Sequence, residues 1–330
     1  MAAARTGLEA LVRSVAQVPP REGQTFAGAS RWVTYANFVK LPHTVFALPF
    51  ALVGVVLASY DAAVRWQHVV WVVLSFTAAR FAAMGFNRIV DREIDARNPR
   101  TRMREIPAGL LRVGEAVAAV VIASGVFVVA AWELNPLCAA LSPLALGWVF
   151  FYSYTKRFTR WSHLVLGVGL SIAPVGGFLA VTGYWSNPWW MLIALSLAVT
   201  TWTGGFDVLY ALQDVAFDLD ARLHSLPAAV GESRALGIAR ALHAASVLWL
   251  ALVGAARFGE SGAGSIYAVG VIVAAALLFY EHSLVKPGHL EKLDAAFFTM
   301  NGIISMAFFG FVLLERVAHA SSVVLVARHP

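Results

Sequence analysis

The chain has 330 residues, of which 59% are hydrophobic and only 13% are charged, and it carries a net charge of +6. Soluble globular proteins contain about 45–50% apolar and about 25% charged residues. A mean hydropathy of +0.70 over the whole chain therefore excludes a soluble enzyme, a disordered chain and a coiled coil. We predict an all-α, polytopic membrane protein. The single cysteine, Cys138, excludes a disulfide framework and a cysteine-based metal cluster.

Apolar windows recur along the chain at the length that a helix needs to cross a hydrocarbon core, which is about 20 residues. We predict nine transmembrane helices, at about 42–60, 68–87, 115–133, 136–154, 162–183, 188–210, 237–256, 263–281 and 294–314. They form one membrane domain of residues 41–315, between an N-terminal tail of residues 1–40 and a C-terminal tail of residues 316–330. The two longest connections are 88–114 and 211–236.

The basic residues are distributed unevenly between the two sides of these helices. The N-terminal tail and the longer connections carry most of the lysines and arginines, and only Arg65, Arg257, Arg316 and Arg328 fall on the other side. Positively charged loops stay in the cytoplasm, so we predict a multi-pass protein of the cytoplasmic membrane with its N-terminus and long loops inside. The excess charge thus mostly determines orientation, and we expect no nucleic-acid partner.

Two segments of the sequence resemble each other. GFNRIVDREIDARNPRTRMREIPAG begins at Gly85, and GFDVLYALQDVAFDLDARLHSLPA begins at Gly205. Their Gly-Phe starts, their aspartate pairs and their Pro-Ala ends recur at a nearly constant separation. The segments follow the second and the sixth predicted helices, so we predict an internal repeat of about four helices. An even-numbered unit preserves orientation, which places both acidic segments on the same face.

The two aspartate pairs are the strongest candidates for a metal site. Residues four apart share one face of an α-helix, and Asn87, Asp91 and Asp95 follow that spacing, as do Asp214 and Asp218. Carboxylates gathered at a membrane surface repel each other unless a cation lies among them. Oxygen ligands without histidine or cysteine favour Mg²⁺, which commonly bridges carboxylates to substrate phosphates. We therefore predict Mg²⁺ at this cluster and a substrate that carries a diphosphate.

Basic residues near the aspartates are candidates for the rest of a phosphate site. Arg104 lies in the first acidic segment, and Lys156 and Arg157 follow the fourth predicted helix. Guanidinium groups bind phosphate in a bidentate manner, and lysine adds a point charge. The alternative role for such residues is ordinary anchoring of cytoplasmic loops.

Four further polar residues are candidates for contacts with the substrates. Arg80 lies inside the second predicted helix, on the face of Asn87, and an intramembrane charge normally faces a cavity and has a partner. We consider Asp207, on the repeated helix, as that partner, either in a structural ion pair or beside an anionic acceptor that contacts Arg80. Lys40 and His43 lie at the cytoplasmic mouth of the first helix, where an interfacial role is the alternative for His43.

Four stretches of the sequence resemble motifs of a known family. NRIVDREID with the downstream NPRT, and YALQDVAFD with LHSLP, look like the two signature regions of the UbiA superfamily of intramembrane aromatic prenyltransferases. SYTKR is similar to its basic motif, and KLPHTVFALPFAL resembles its first helix. The likeness extends over residues 37–314. LHSLP and FALPFAL look like the bacterial branch of 4-hydroxybenzoate polyprenyltransferase-like proteins, which includes enzymes of the futalosine route to menaquinone.

The resemblance implies a helical fold around a central cavity that opens sideways to lipid. It implies that loops 88–114 and 211–236 form a cytoplasmic cap. It also implies Mg²⁺ held by Asn87, Asp91, Asp95, Asp214 and Asp218. One departure from the family pattern is that Phe217, rather than a second acid, precedes Asp218.

The resemblance further implies transfer of a polyprenyl group from polyprenyl diphosphate to a small aromatic acceptor, in ubiquinone or menaquinone biosynthesis. In the expected mechanism Mg²⁺ and basic residues stabilise the departing diphosphate, and the allylic cation attacks an electron-rich ring. Tyr154, Tyr210 and Phe86 are candidates for cation–π stabilisation, with core packing as the alternative for Phe86. The acceptor stays open between 4-hydroxybenzoate, a naphthoate and a futalosine-derived compound.

Two other functions agree with parts of the sequence. A cation-coupled transporter would also contain a repeat and intramembrane charges, although transporter sites usually lie near the midplane and these acids lie at one face. A CDP-alcohol phosphotransferase is also a Mg²⁺-dependent membrane enzyme with spaced aspartates. That chemistry uses one acidic motif that begins with an Asp-Gly and Ala-Arg element, and it leaves the second acidic segment unexplained.

Overall fold

The computed structural model describes residues 26, 28, 30–259, 263–285 and 299–328, except for the side chains of 41–46 and 321–328. These residues form α-helices and no β-strand, so the predicted all-α class is confirmed. The helices are α1 (Arg31–Phe38), α2 (Leu41–Ala58), α3 (Trp66–Val90), α4 (Arg92–Arg97), α5 (Val113–Leu134), α6 (Pro136–Thr155), α7 (Ser162–Thr182), α8 (Trp190–Ala211), α9 (Val215–Asp220), α10 (Leu226–Val230), α11 (Glu232–Phe258), α12 (Ser265–Leu284) and α13 (Asn301–Arg328).

Eight helices of the described part are long and apolar enough to cross a membrane: α3, α5, α6, α7, α8, α11, α12 and α13. The prediction of a multi-pass membrane protein is therefore confirmed. The first predicted window, 42–60, coincides with α2, whose apolar segment Ala47–Ala58 is shorter. The count of nine membrane-spanning helices and the four-helix repeat stay predictions.

The predicted domain boundaries stay predictions, although the one between residues 40 and 41 coincides with the start of α2 at Leu41. Helix α1 lies inside the predicted N-terminal tail, and α13 continues to Arg328, beyond residue 315. Residues 316–328 contain no proline or glycine, so nothing in that stretch disfavours a continuing helix.

Capping side chains and prolines determine where several helices begin. Asn135 accepts a hydrogen bond from the backbone N–H of Cys138 (2.9 Å), and Pro136 opens α6. Ser225 caps α10 in the same way, with Pro227 in its first turn. Proline suits this position because the N–H that it lacks has no partner there in any helix.

Helix α8 is the most buried of the eight apolar helices and packs against α7 and α11. Trp202 on α8 contacts Phe50 of α2, with ring centroids 4.6 Å apart, and meets Phe206 edge-on. Helix α8 continues through a 3₁₀ turn, Leu212–Asp214, into α9. The helix that carries the second acidic segment is thus fixed by packing on several sides.

Glycines allow the backbones of α2 and α7 to touch. A Cβ on Gly177 would lie 2.3 Å from the carbonyl oxygen of Ala51, and one on Gly54 would lie 1.9 Å from that of Pro174. Gly176, the next residue along α7, faces open space. Small residues at helix contacts are typical of membrane proteins, where van der Waals packing holds helices together.

This contact predicts different effects for two neighbouring substitutions. Gly177→Ala should lower the thermal unfolding temperature of the detergent-purified protein, because overpacking costs about 1–3 kcal/mol. Gly176→Ala is the matched control and should leave that temperature unchanged or raise it, since alanine favours helix over glycine by about 1 kcal/mol. Equal unfolding temperatures for the two variants would contradict the close packing of α2 against α7.

Candidate active site

The two acidic segments meet at one end of the helical bundle, which we call the loop face. Asp91 follows α3 and Asp95 lies on α4, whereas Asp214 ends the 3₁₀ turn after α8 and Asp218 lies on α9. Asn98, in the first segment, donates a hydrogen bond to Asp214 in the second, with Nδ2 and Oδ1 3.1 Å apart. Both segments therefore share one face, as their spacing predicts.

Arg100 is a site residue that the sequence reasoning missed. Its guanidinium binds Asp214 through two nitrogens, with Nε–Oδ1 2.9 Å and Nη2–Oδ2 2.5 Å, and donates to the Tyr210 hydroxyl at 2.9 Å. Arg100 and Asp214 line a cavity of about 500 Å³. The NPRT stretch, which contains Arg100, was the available signal.

Arg104 and Arg157, both predicted to contact phosphate, bind the first aspartate pair in this structure. Arg104 Nη1 lies 2.8 Å from Asp95 Oδ1, and Arg157 Nη2 lies 3.0 Å from Asp91 Oδ1. Asn87 donates to the other oxygen of Asp91, Oδ2, at 2.9 Å. Charge-assisted hydrogen bonds of this kind are among the strongest in proteins, so these guanidinium groups neutralise the carboxylates.

The surroundings of Asp91 favour a bound cation. Burial raises the pKa of Asp91 to about 6, the Arg157 guanidinium opposes the rise, and the charge of Asp95 adds to it. A further positive charge close to the pair would favour the ionised form of both carboxyl groups.

Two carboxylate oxygens of the cluster are buried without a hydrogen-bond partner among the described residues, Asp95 Oδ2 and Asp218 Oδ2. Asp218 is only 1% exposed, and Lys156 Nζ lies 4.0 Å from its Oδ2. A buried anionic oxygen without a partner is costly, and such hard oxygens are the donors that Mg²⁺ prefers. The residues present therefore fit a Mg²⁺ ion at each aspartate pair.

The predicted metal ligands are divided between the two pairs. No three histidine, cysteine, aspartate or glutamate side chains in the described ranges lie close enough together to hold a metal by themselves. Mg²⁺ usually binds one or two carboxylates and completes its shell with water and substrate phosphates. Two separate pairs thus suit an ion that is held jointly by protein and diphosphate.

Backbone hydrogen bonds hold the basic turn after α6 against the LHSLP stretch. The N–H of His224 donates to the carbonyl oxygen of Lys156 at 2.7 Å. The N–H of Leu226 donates to Nε2 of His163, at 3.3 Å. The Lys156 side chain lies beside Asp218, with Nζ 4.0 Å from Oδ2, and the roles of both residues stay predictions.

The ion pair that we considered between Arg80 and Asp207 is not formed. Asp207 faces α7 and binds His163 instead, with Oδ2 2.7 Å from Nδ1. The Nε of Arg80 is buried and has no hydrogen-bond partner among the residues that the structure describes. Arg80 is therefore an intramembrane cation whose charge is available to an anionic group.

The aromatic candidates lie in different surroundings. Tyr154 is 44% exposed, and the Arg157 guanidinium lies 5.4 Å from its ring centroid. Phe86 stacks on Phe150 with centroids 4.3 Å apart, so it takes the packing role that was its alternative. Tyr210 has Arg100 and Lys40 over its ring, at 5.2 and 5.8 Å from the centroid.

Tyr152 is a second residue that the sequence reasoning missed. It lies on α6 within electrostatic reach of both Asp91 and Asp207. Residues two apart point to nearly opposite sides of a helix, so Tyr152 faces the two acidic segments while Tyr154 faces outward. The FYSYTKR stretch contains both tyrosines, but it does not indicate which one faces inward.

Lys40 lies between α1 and α2 with its side chain buried. Its backbone is left-handed, with φ 48° and ψ 57°. A non-glycine residue in this region costs about 1–2 kcal/mol, so the surrounding contacts must hold it there. The strained position brings its ammonium to Tyr210 at the site. The side chain of His43 lies outside the described part, so its predicted role is not addressed by the structure.

The comparison with known proteins decides the family. Residues 47–303 match the model of the UbiA prenyltransferase family. The chain belongs to this family. The predicted superfamily and the predicted enzyme class, a prenyltransferase, are thereby confirmed, which decides between this function and the two other functions considered above.

Individual relatives agree with the family assignment. The chain is 31% identical over 242 residues to a 4-hydroxybenzoate octaprenyltransferase of Sodalis glossinidius, a match that covers 73% of this chain and 80% of the relative. A solved UbiA homolog from Aeropyrum pernix K1 has a TM-score of 0.74 and 29% identity. The match covers 83% of this chain and 98% of the homolog.

A UbiA homolog from Archaeoglobus fulgidus, solved with GPP and Mg²⁺, has a TM-score of 0.64 and 20% identity. That match covers 86% of this chain and 99% of the homolog, and it shows the likeness of the fold.

Metal binding at Asp218 is testable without turnover. Mg²⁺ with inorganic diphosphate should raise the unfolding temperature of the native protein. At a ligand concentration of 100 times the dissociation constant, binding increases the free energy of unfolding by about 2.7 kcal/mol. Asp218→Asn should lose most of this rise. Its metal-free form should unfold at the same or a higher temperature, because the substitution removes a buried charge whose Oδ2 accepts no hydrogen bond from the described residues.

Glu93, whose side chain is 80% exposed, supplies the control. Glu93→Gln should keep the full rise in unfolding temperature. An undiminished rise in Asp218→Asn would exclude Asp218 as a metal ligand.

Proposed function

We propose that this chain transfers a polyprenyl group from a polyprenyl diphosphate to a carboxylated, electron-rich aromatic ring of the 4-hydroxybenzoate type, with Mg²⁺ as cofactor. The observation that carries the proposal is the pair of aspartate clusters at the loop face. Two of their buried oxygens accept no hydrogen bond from the residues that the structure describes, and basic residues lie against the carboxylates. The relative's name, a 4-hydroxybenzoate octaprenyltransferase, supports the acceptor class, and the homolog bound to GPP and Mg²⁺ supports the donor and the metal.

The aspartates and the basic residues divide the work at the diphosphate. Asn87, Asp91 and Asp95 would hold one Mg²⁺ ion, and Asp214 and Asp218 a second. Bound Mg²⁺ stabilises the negative charge that develops on the departing diphosphate. Lys156, Arg100, Arg104 and Arg157 already lie against these carboxylates, within reach of any phosphate bound to the same ions.

Aromatic rings next to the acids would stabilise the allylic cation. Tyr210 already faces two cations in this structure, so the ring is placed to interact with positive charge. Tyr152 replaces Tyr154 in this role, because the ring of Tyr154 is exposed and faces Arg157.

Arg80 would bind the carboxylate of the acceptor. It lies seven residues before Asn87 on α3, which is about 10 Å deeper in the bundle. A carboxylate at that depth directs the hydroxyl-bearing part of the ring towards the loop face, where the cation forms. The same recognition would serve 4-hydroxybenzoate and a carboxylated naphthoate, so both ubiquinone and menaquinone precursors fit this chemistry.

The distribution of lysines and arginines supports an orientation. The loop face carries the long basic connections, so it lies on the cytoplasmic side of the cytoplasmic membrane. The diphosphate and the acceptor then meet the site from the side on which soluble precursors are made, while the polyprenyl tail stays in the bilayer.

Removal of one aspartate from either pair tests the proposal. In membranes supplied with geranyl diphosphate, 4-hydroxybenzoate and Mg²⁺, Asp91→Ala and Asp214→Ala should each lower product formation at least about 100-fold, because charge stabilisation in the transition state is lost. Glu93→Gln is the control, since the side chain of Glu93 is 80% exposed. Mass spectrometry of the prenylated ring is the measurement, and retained transfer in either alanine variant would refute the metal assignment.

The role of Arg80 predicts a dependence on the acceptor's charge. Arg80→Gln should raise KM for 4-hydroxybenzoate about ten- to hundredfold, the equivalent of one hydrogen bond to a charged group. It should have a smaller effect on the methyl ester of that acid, which has no carboxylate.

Arg65→Gln, at the opposite end of α3, is the control for a general effect of charge removal. Equal losses with the acid and the ester in Arg80→Gln would assign Arg80 to the structure of the bundle instead.

A further inference from the structure

A buried pair of polar side chains lies beside the proposed metal site but outside it. His163, at the start of α7, is 2% exposed, and its Nδ1 lies 2.7 Å from Oδ2 of Asp207 on α8. The sequence reasoning singled out Asp207 only as a partner for Arg80, and it did not single out His163. The proposed function uses neither residue of the pair.

The hydrogen bonds indicate which ring nitrogen of His163 donates to Asp207. A backbone N–H can only donate, so the bond from Leu226 N–H requires Nε2 of His163 to be an unprotonated acceptor. The ring proton of a neutral histidine then resides on Nδ1, where it is donated to Asp207. In this arrangement His163 donates through Nδ1, and Asp207 is an oriented carboxylate that accepts through Oδ2.

The second oxygen of Asp207 is available. No hydrogen bond from the described residues reaches Oδ1, and the side chain of Asp207 is 17% exposed. Because one oxygen is fixed by His163, the other has a defined direction. An oriented carboxylate whose second oxygen can accept a proton is the arrangement that a general base requires.

Spacing places Asp207 deeper than the metal ligands. In the repeat it corresponds to Asn87, but Asn87 precedes Asp91 by four residues and Asp207 precedes Asp214 by seven. At about 1.5 Å of rise per residue, Asp207 lies about 10 Å below its acid and Asn87 only about 6 Å. Asp207 is thus one turn too deep to share a metal with Asp214, and it lies on the acceptor's side of the site.

We propose that Asp207 is the base that removes the ring proton after prenyl transfer, and that His163 is the positioning residue that orients it. The inference rests on the proposed function. Once the ring carbon has bonded to the allylic carbon, its C–H bond breaks, and the electron pair of that bond restores the aromatic ring. The proton goes to Oδ1 of Asp207 and later to water at the loop face, which regenerates the carboxylate.

An isotope experiment tests this step. The rate of prenyl transfer is measured with ordinary and with ring-deuterated 4-hydroxybenzoate, at saturating geranyl diphosphate and Mg²⁺. In the native protein the two rates should be equal, because proton loss is fast. Asp207→Asn should lower kcat about 100-fold or more, leave KM for geranyl diphosphate unchanged, and show a slower rate with the deuterated ring.

His163 variants separate orientation from folding. His163→Ala should lower kcat by a smaller factor than Asp207→Asn, with the same dependence on deuterium. His163→Gln should restore part of the rate, because its amide N–H still donates to Asp207. A merely structural role would lower the unfolding temperature of these variants and would produce no isotope effect. Glu93→Gln again serves as the unaffected control.

The outcomes distinguish this inference from the proposed function. Full activity of Asp207→Asn, or a reduced rate without an isotope effect, would overturn the assignment of the base and favour proton transfer to the released diphosphate. If the native protein forms no prenylated ring, the proposed function fails first and this inference fails with it.

Discussion

Four carboxylates gathered at one end of an apolar bundle impose the constraint on which the rest of the site depends. Buried anions are costly unless cations compensate them, and the chain supplies three arginines for three of the four acids. Each arginine comes from a loop, or from the turn after α6, and not from the helix that precedes its acid. The long basic connections therefore contribute to the site as well as to the predicted membrane orientation.

The same arginines are the proposed ligands of the diphosphate, so substrate binding must reorganise these ion pairs. A diphosphate without a metal would compete with aspartates for the guanidinium groups and add negative charge to the cluster. A metal without diphosphate would displace the arginines and leave them without an anion. If both bound together, the metal would compensate the aspartates and the phosphates would compensate the arginines, so charge balance would be preserved. This exchange explains why a strong acid–arginine pair such as Arg100 with Asp214 is compatible with a phosphate site.

Sequence periodicity predicted the parts of the site that depend on one helix alone. The spacing of four residues placed Asn87 next to Asp91, and hydropathy located most of the helices. Periodicity could not predict contacts between segments that are distant in the chain. Arg100 reaches Asp214 across more than a hundred residues, and which helix Asp207 faces depends on the packing of α7 against α8. The sequence suggested Arg80 as its partner because the two residues lie on corresponding helices, but position along a helix does not determine direction around its axis.

The depth of each residue along the bundle matches the order of the proposed chemistry. The aspartate pairs and arginines lie at the loop face, where a charged leaving group can return to water. Tyr210 lies one turn below Asp214, and Asp207 almost one turn further. A cation formed beneath the diphosphate thus meets aromatic faces before it meets a carboxylate. That order matters because a carboxylate beside the nascent cation would capture it, whereas one turn deeper the same group encounters only the ring proton. The rise of α8 sets this separation, and His163 orients the Asp207 side chain towards α7.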